Sequence, residues 1–189
     1  MAFYTNLELQ KLGFKYLGNN VLVSKNASIY GFEFISIGSN SRIDDFVIIS
    51  ANTEGIDIGE YVHIAPYCSL IGSANIKLCD FSGISSRVSI YSSSDDYSGN
   101  FLTNPCVAME LRNVISKPVI LGYHVIVGVN SVIMPGVSIG NGSAVGAFSF
   151  VTKSLSENII ANGIPARKIG ERSSEIFTLE KCIINKTFS

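Results

Sequence analysis

The chain has no tryptophan and only two histidines among its 189 residues. Charged residues make up 15%, well below the roughly 25% of an ordinary soluble domain. Lys and Arg number 14 against 15 Asp and Glu, so there is no basic excess. That excludes a nucleic-acid binder held by phosphate contacts. No apolar run approaches the ~18 residues of a membrane span, so membrane insertion is not expected. The first residues, Met1 to Asn6, have neither a basic start nor an apolar core. No signal peptide is expected, and the expected compartment is the cytoplasm. Four cysteines (Cys68, Cys79, Cys106, Cys182) stand at no metal-ligand or CxxC spacing. No metal site and no disulfide is expected, and the thiols should be reduced and buried as small hydrophobes.

What is present is apolar. Hydrophobic residues reach 47%, which excludes a disordered chain, and the length favours one domain. Low charge with positive mean hydropathy fits a chain that hides surface in an oligomer. The apolar residues are also periodic. From Leu121 the aliphatic positions Leu121, Val127, Ile133, Ile139, Val145 and Val151 recur every six residues. The same phase runs through Ile37, Ile43, Ile49, through Ile58, Ile64, Leu70, and through Leu78, Ile84, Ile90. Four positions after these stand Ser41, Val47, Val62, Cys68, Ser82, Val88, Val125, Ser131, Val137, Ser143 and Ser149. All are small or β-branched.

A period of six is neither helical nor the plain alternation of a strand. It describes a short strand, a corner and a repeat, so three strands close one triangular coil. The aliphatic residue points into the prism and the small one fits near the corner. Each coil buries its interior only when others stack on it. Gly122, Gly128, Asn141, Gly142 and Gly146 are expected to supply the backbone conformations of the turns.

Breaks in phase locate insertions. Short ones fall near Asn52–Gly55 and Ser73–Asn75, and a long excursion occupies residues 91–117. Long loops on a rigid scaffold are where ligands or partner subunits are met. Residues 1–20, with a short helix over Asn6–Phe14, should cap the open end. Residues 21–170 form the solenoid. The tail, 171–189, reads as an amphipathic helix (Ile176, Phe177, Leu179, Ile183) covering the last coil.

The blocks Ile133-Met134-Pro135-Gly136-Val137, Gly146-Ala147-Phe148-Ser149, Val151-Thr152-Lys153 and Gly163-Ile164-Pro165-Ala166-Arg167-Lys168 resemble the C-terminal signature of hexapeptide-repeat sugar acetyltransferases. The fold class this implies is all-β, a left-handed parallel β-helix. The left hand comes from the resemblance alone, since right-handed crossovers are otherwise the rule. The resemblance also implies a homotrimer with acetyl-CoA as co-substrate in the groove between prisms. It sets the pantetheine arm near Gly128, Ala147, Thr152 and Lys153, and the CoA phosphates near Arg167 and Lys168. Cations at phosphates are chemically apt.

Acyl transfer from a thioester requires an acceptor freed of its proton. His63 stands in Ile58-Gly59-Glu60-Tyr61-Val62-His63, similar to the frame that carries a histidine in nucleotide-sugar N-acetyltransferases. Coil stacking places Arg42 one coil before it and Gly83 one coil after. His124 reads as a surface residue. Galactoside and maltose O-acetyltransferases carry their histidine in the long loop, which here, at Tyr91–Asn100, has none. Asp95 and Asp96 in that loop are further catalytic candidates, able to hold an ammonium or accept its proton. Arg42, Asp44, Asp45 and Tyr97 are candidates for substrate contact.

The wider frame, with Ser-Arg-Ile-Asp-Asp-Phe, Ile-Ser-Ser-Arg-Val-Ser-Ile-Tyr and Asp-Asp-Tyr-Ser-Gly, resembles acyltransferases of surface-polysaccharide pathways. It is most similar to those acting on the amino group of dTDP-4-amino-4,6-dideoxyglucose. The expected function is N-acetylation of a nucleotide-linked amino sugar. Alternatives are O-acetylation of a galactoside or polysaccharide hydroxyl, and an inactive solenoid scaffold.

Overall fold

The computed structural model describes residues 2–184. The chain winds as a triangular prism with faces of six, eight and six strands, parallel throughout except for the last strand of the second face, and a separate two-stranded hairpin. Successive strands of a face are one coil apart, so Ile37, Ile58, Leu78, Leu121 and Ile139 pair in one ladder on the first face. The six-residue phase produces this register. All the aliphatic positions named above are no more than 3% exposed, and so are the small residues four positions on. Burying each such aliphatic side chain contributes about 1.5–3 kcal/mol.

Serine at the corner is a polar device in an apolar prism. Ser41 Oγ donates to Gly59 O at 2.7 Å and accepts from Val62 N at 3.0 Å. Ser131 and Ser143 bond across coils in the same way. Small hydroxyls thereby bind one coil to the next where a methyl group would leave backbone groups unpaired.

The corners differ from expectation in one respect. Of Gly122, Gly128, Asn141, Gly142 and Gly146, only Gly142 has a positive φ, at 68°. Gly128 is needed for close approach instead: a Cβ there would stand 2.4 Å from Ala147 N in the next coil. The left-handed backbone falls two residues later, on bulky side chains. Along the first edge, between the first and second faces, the bulky ones are Tyr61, Phe81 and His124, and Asn20, Asn40, Gly142 and Asn158 hold the same corner on other coils. Along the second edge they are Phe46, Tyr67, Arg87, Asn130 and Phe148.

All changes of length lie on the third edge. The long excursion departs there, and its base is an antiparallel hairpin of Ser93–Asp95 with Val114–Ser116. The N-terminal helix α1 (Asn6–Lys11) is shorter than expected. It is opened by a capping box between Thr5 and Glu8 and buries Leu9 in the core.

The last coil is covered by the antiparallel pair Ile159–Gly163 and Ala166–Glu171. The tail helix α2 (Ile176–Ile184) therefore takes another place than the expected one. It lies along the first edge, where Phe177 meets the His124 ring edge-on and Glu180 bonds its Nε2 at 2.8 Å. Arg172 secures the approach, donating to the carbonyls of His124, Gly142 and Ser143. His124 is thus a covered residue, correcting its reading as surface. Residues 185–189 of the expected helix lie outside the described residues. Of the cysteines, Cys68 is buried, whereas Cys106 on the excursion and Cys182 on α2 are exposed because neither belongs to the prism.

Candidate active site

The second face brings Arg42, His63, Gly83 and Ile126 into adjacent strands, with His63 between Arg42 and Gly83 as stacking requires. Their side chains point outward because the next residue in each strand, Ile43, Ile64, Ile84 or Val127, points in. Gly83 has no side chain, and the gap it leaves becomes a cleft of about 270 Å³. The cleft is lined by His63, Ala65, Gly83, Ile84, Ser85, Ser86 and Ile126.

Behind His63 stands Asp44. Its side chain is 3% exposed, its Oδ2 lies 2.8 Å from His63 Nε2, and its Oδ1 accepts from Arg42 Nε at 2.6 Å. Burial pushes the Asp44 carboxyl up, but the hydrogen bonds from Arg42 and His63 outweigh it and hold the group below the usual carboxylate range. An ionised carboxylate only accepts, so Nε2 carries the proton. In neutral His63 the free lone pair is then on Nδ1. With its side chain about half exposed, His63 can take a proton from a molecule in the cleft. Asp44 was expected at the substrate; it is instead buried behind the histidine and orients it. Asp45 accepts a hydrogen bond from Ser24.

The structure does not bring every candidate together. Asp95 Oδ2 accepts from Asn104 N at 3.3 Å. Asp96 accepts from Ser98 N and from Asn113 Nδ2. The Ser98 and Asn113 hydrogen bonds lower the Asp96 pKa. Tyr97 is exposed on the same excursion. None of the three lines the His63 cleft. Gly128 and Ala147 lie on the second edge, while Thr152 and Lys153 lie on the third, so one prism presents them on different corners. Arg167 and Lys168 are exposed on the terminal strand, with Lys168 paired to Glu171. Ser85 and Ser86 are the residues sequence reasoning missed. They stand in the quoted Ile-Ser-Ser-Arg frame, one coil after Ala65 and Pro66, and that register was the available signal.

A larger cleft of about 430 Å³ lies at the N-terminal end, lined by Asn6, Leu9, Gln10, Phe14, Leu17, Gly18, Asn19 and Asn20. It is lined by no titratable group, whereas a third cleft of about 260 Å³, between the first edge and α2, is lined by His124 and Glu180, which bond each other. Among the described residues no group of three or more His, Cys, Asp or Glu is placed to hold a metal ion. No described helix is long and apolar enough to cross a membrane.

No family model matches the chain. An Escherichia coli dTDP-4-amino-4,6-dideoxy-D-glucose acyltransferase is 47% identical over 95% of this chain and 94% of its own. The chain belongs to this acyltransferase family. The family is a branch of the hexapeptide-repeat enzymes, and the fold is the left-handed parallel β-helix. A galactoside O-acetyltransferase of Escherichia coli K12 is more distant, 30% identical over 79% of this chain and 70% of its own. Among solved structures, AntD, an N-acyltransferase from Bacillus cereus, superposes with a TM-score of 0.95 at 46% identity, covering 98% of this chain and 99% of that one. That structure is a serine-to-alanine variant holding dTDP-4-amino-4,6-dideoxyglucose and coenzyme A. Another is an aspartate-to-asparagine variant with dTDP and coenzyme A. As a member of this acyltransferase family, the chain is an enzyme that uses a coenzyme A thioester.

Proposed function

We propose that this enzyme transfers an acetyl group from acetyl-CoA to the amino group of a nucleotide-linked amino sugar, dTDP-4-amino-4,6-dideoxyglucose, for surface-polysaccharide synthesis in the cytoplasm. The observation that carries this reading is the Arg42–Asp44–His63 arrangement opening on a cleft, in a chain similar along nearly its whole length to a dTDP-4-amino-4,6-dideoxy-D-glucose acyltransferase.

The amine nitrogen attacks the thioester carbonyl. The N–C bond forms, the C–S bond breaks, and the sulfur leaves as thiolate. His63 Nδ1 takes the proton released by the amine and passes it to the thiolate. Asp44 stabilises the ring while it is cationic, and Arg42 holds Asp44 ionised. Ser85 and Ser86 put hydroxyl groups beside the reacting centre.

The excursion has a part in this reading. The AntD variants replace a serine and an aspartate ten positions apart. Ser85 with Asp95, and Ser86 with Asp96, have that spacing here. An aspartate that holds the substrate ammonium fits the spacing, and Tyr97 is beside it. In one chain these residues lie away from the His63 cleft. A homotrimer resolves this, because a groove between two prisms joins the second edge of one to the third edge of its partner. The same groove reunites Gly128 and Ala147 with Thr152 and Lys153 around the pantetheine arm, with Arg167 and Lys168 toward the CoA phosphates.

The test is a thiol-release assay with acetyl-CoA across free amino sugars, nucleotide-linked amino sugars and simple galactosides, with sedimentation on the same sample. Turnover confined to the nucleotide-linked amine by a trimer is expected. Preferred acetylation of a galactoside, or full activity in a monomer, would refute the reading.

A further inference from the structure

Arg87 stands at the second edge directly after Ser85 and Ser86 of the cleft, in left-handed backbone with φ 60°. That conformation costs a long side chain about 1–2 kcal/mol, and the next coil uses asparagine at the same corner. Its guanidinium lies 5.2 Å from the centre of the Tyr67 ring, and Tyr67 stacks on Phe46 at 5.0 Å and 21°. The three side chains form an exposed ladder one coil apart. Among the described residues no carboxylate pairs with Arg87. A planar cation with no carboxylate partner beside a cleft is a receptor for an anion that accepts several hydrogen bonds.

Both substrates of the proposed reaction carry a diphosphate, so position along the edge decides between them. The expected donor contacts, Gly128 and Ala147, lie on coils after Arg87, and Phe46 and Tyr67 lie on coils before it. Donor and acceptor therefore approach His63 from opposite ends. We propose that Arg87, placed over the Tyr67 ring of the Tyr67–Phe46 stack, binds the diphosphate of the nucleotide-linked acceptor, whose nucleoside half lies along the ring edges. This rests on the acceptor class proposed above.

Arg87→Ala should raise KM for the nucleotide-linked amino sugar and the Kd of free dTDP by about 10- to 100-fold, the worth of a charged hydrogen bond. It should leave kcat and the KM for acetyl-CoA within about threefold. Tyr67→Leu should raise the same KM less, because the cation remains but loses its support, and Tyr67→Phe should restore it. Unchanged dTDP affinity in Arg87→Ala, with wild-type enzyme turning over the nucleotide sugar, overturns the proposal. A rise confined to acetyl-CoA assigns the cation to the donor and overturns it too. So does a drop in oligomeric size, which would make the edge a contact between copies. Wild-type enzyme that binds no dTDP and acetylates an unlinked amino sugar equally well overturns the acceptor class itself, and the Arg87 assignment with it.

Discussion

The two histidines of this chain stand near different edges of one prism, and the edges have opposite fates. Along the first edge Tyr61, Phe81 and His124 stack at 4.7 and 4.9 Å with nearly parallel planes, and α2 covers the stack. Along the second edge Phe46 and Tyr67 stack, the Arg87 guanidinium lies over the Tyr67 ring, and no described segment of the chain covers them. Both ladders accept the same left-handed backbone at the same point of each coil. The fold can thus build one device twice and use it differently. On the first edge it docks the tail. On the second it borders a cleft and leaves a histidine half exposed.

Activity should break this comparison most sharply. His63→Ala is expected to lower kcat by roughly 10²–10⁴, the worth of a positioned acid–base group, with acetyl-CoA affinity little changed. His124→Asn, which tolerates the left-handed backbone, should leave kcat within about threefold. Steady-state kinetics of both variants would decide, and near wild-type turnover in His63→Ala with none in Asp95→Ala or Asp96→Ala would move the base to the excursion.

Asp44→Asn comes next. It should lower kcat about tenfold by freeing the imidazole, and lower stability by about 1–3 kcal/mol at neutral pH. The Asp44 pKa is depressed in the folded chain, so its contribution is full above the ordinary carboxylate value of 3.8. It is lost as pH falls through the lowered folded value. Melting both proteins from pH 7 to pH 3 should show the gap in Tm closing toward acid; a constant gap counts against the pairing.

For the covered edge, His124→Asn removes a ring from the stack and the partner of Glu180. The expected loss is about 1 kcal/mol, some 2–4 °C in Tm, with faster hydrogen exchange across Ile176–Ile184. Protection of α2 equal to wild type would show that the helix is held by Arg172 and Phe177 without the histidine.

The smallest effect concerns two thiols, one by each edge. Burial pushes Cys68 on the second edge up to about 11, while Cys182 on α2 is exposed. At pH 7.5 an alkylating reagent should modify Cys182 quickly and Cys68 only after denaturation, as peptide mass mapping would show. Rapid labelling of native Cys68 would mean that this corner opens.

Much of this was legible because the hexad is a packing rule. Ile43, Ile64 and Ile84 have to point inward together, which places Arg42, His63 and Gly83 side by side from the sequence alone. The pairing of Asp44 with His63 was not legible, because it depends on a side chain turning back across a coil boundary. The site of α2 was hidden for a related reason. An amphipathic pattern shows that a helix has an apolar face, but what that face meets is decided by Tyr61, Phe81 and His124, which are adjacent only after winding. The pattern around Asp95 and Asp96 carries no period, so nothing local said where the excursion would lead.

The constant six-residue step across the second edge has a metric consequence. Successive coils there are offset by one strand spacing, about 4.8 Å, and no insertion interrupts the series between Phe46 and Phe148. The edge is a graduated rule, on which the reach between any two groups is a whole number of divisions. A bulkier acyl group cannot be admitted by sliding its holder a fraction of a division. An adjustment independent of the graduation is open at Gly83, where an added Cβ would meet nothing nearer than Ile126 Cδ1 at 3.5 Å. Side-chain size at that position can therefore trim the cleft beside His63 without disturbing the graduation.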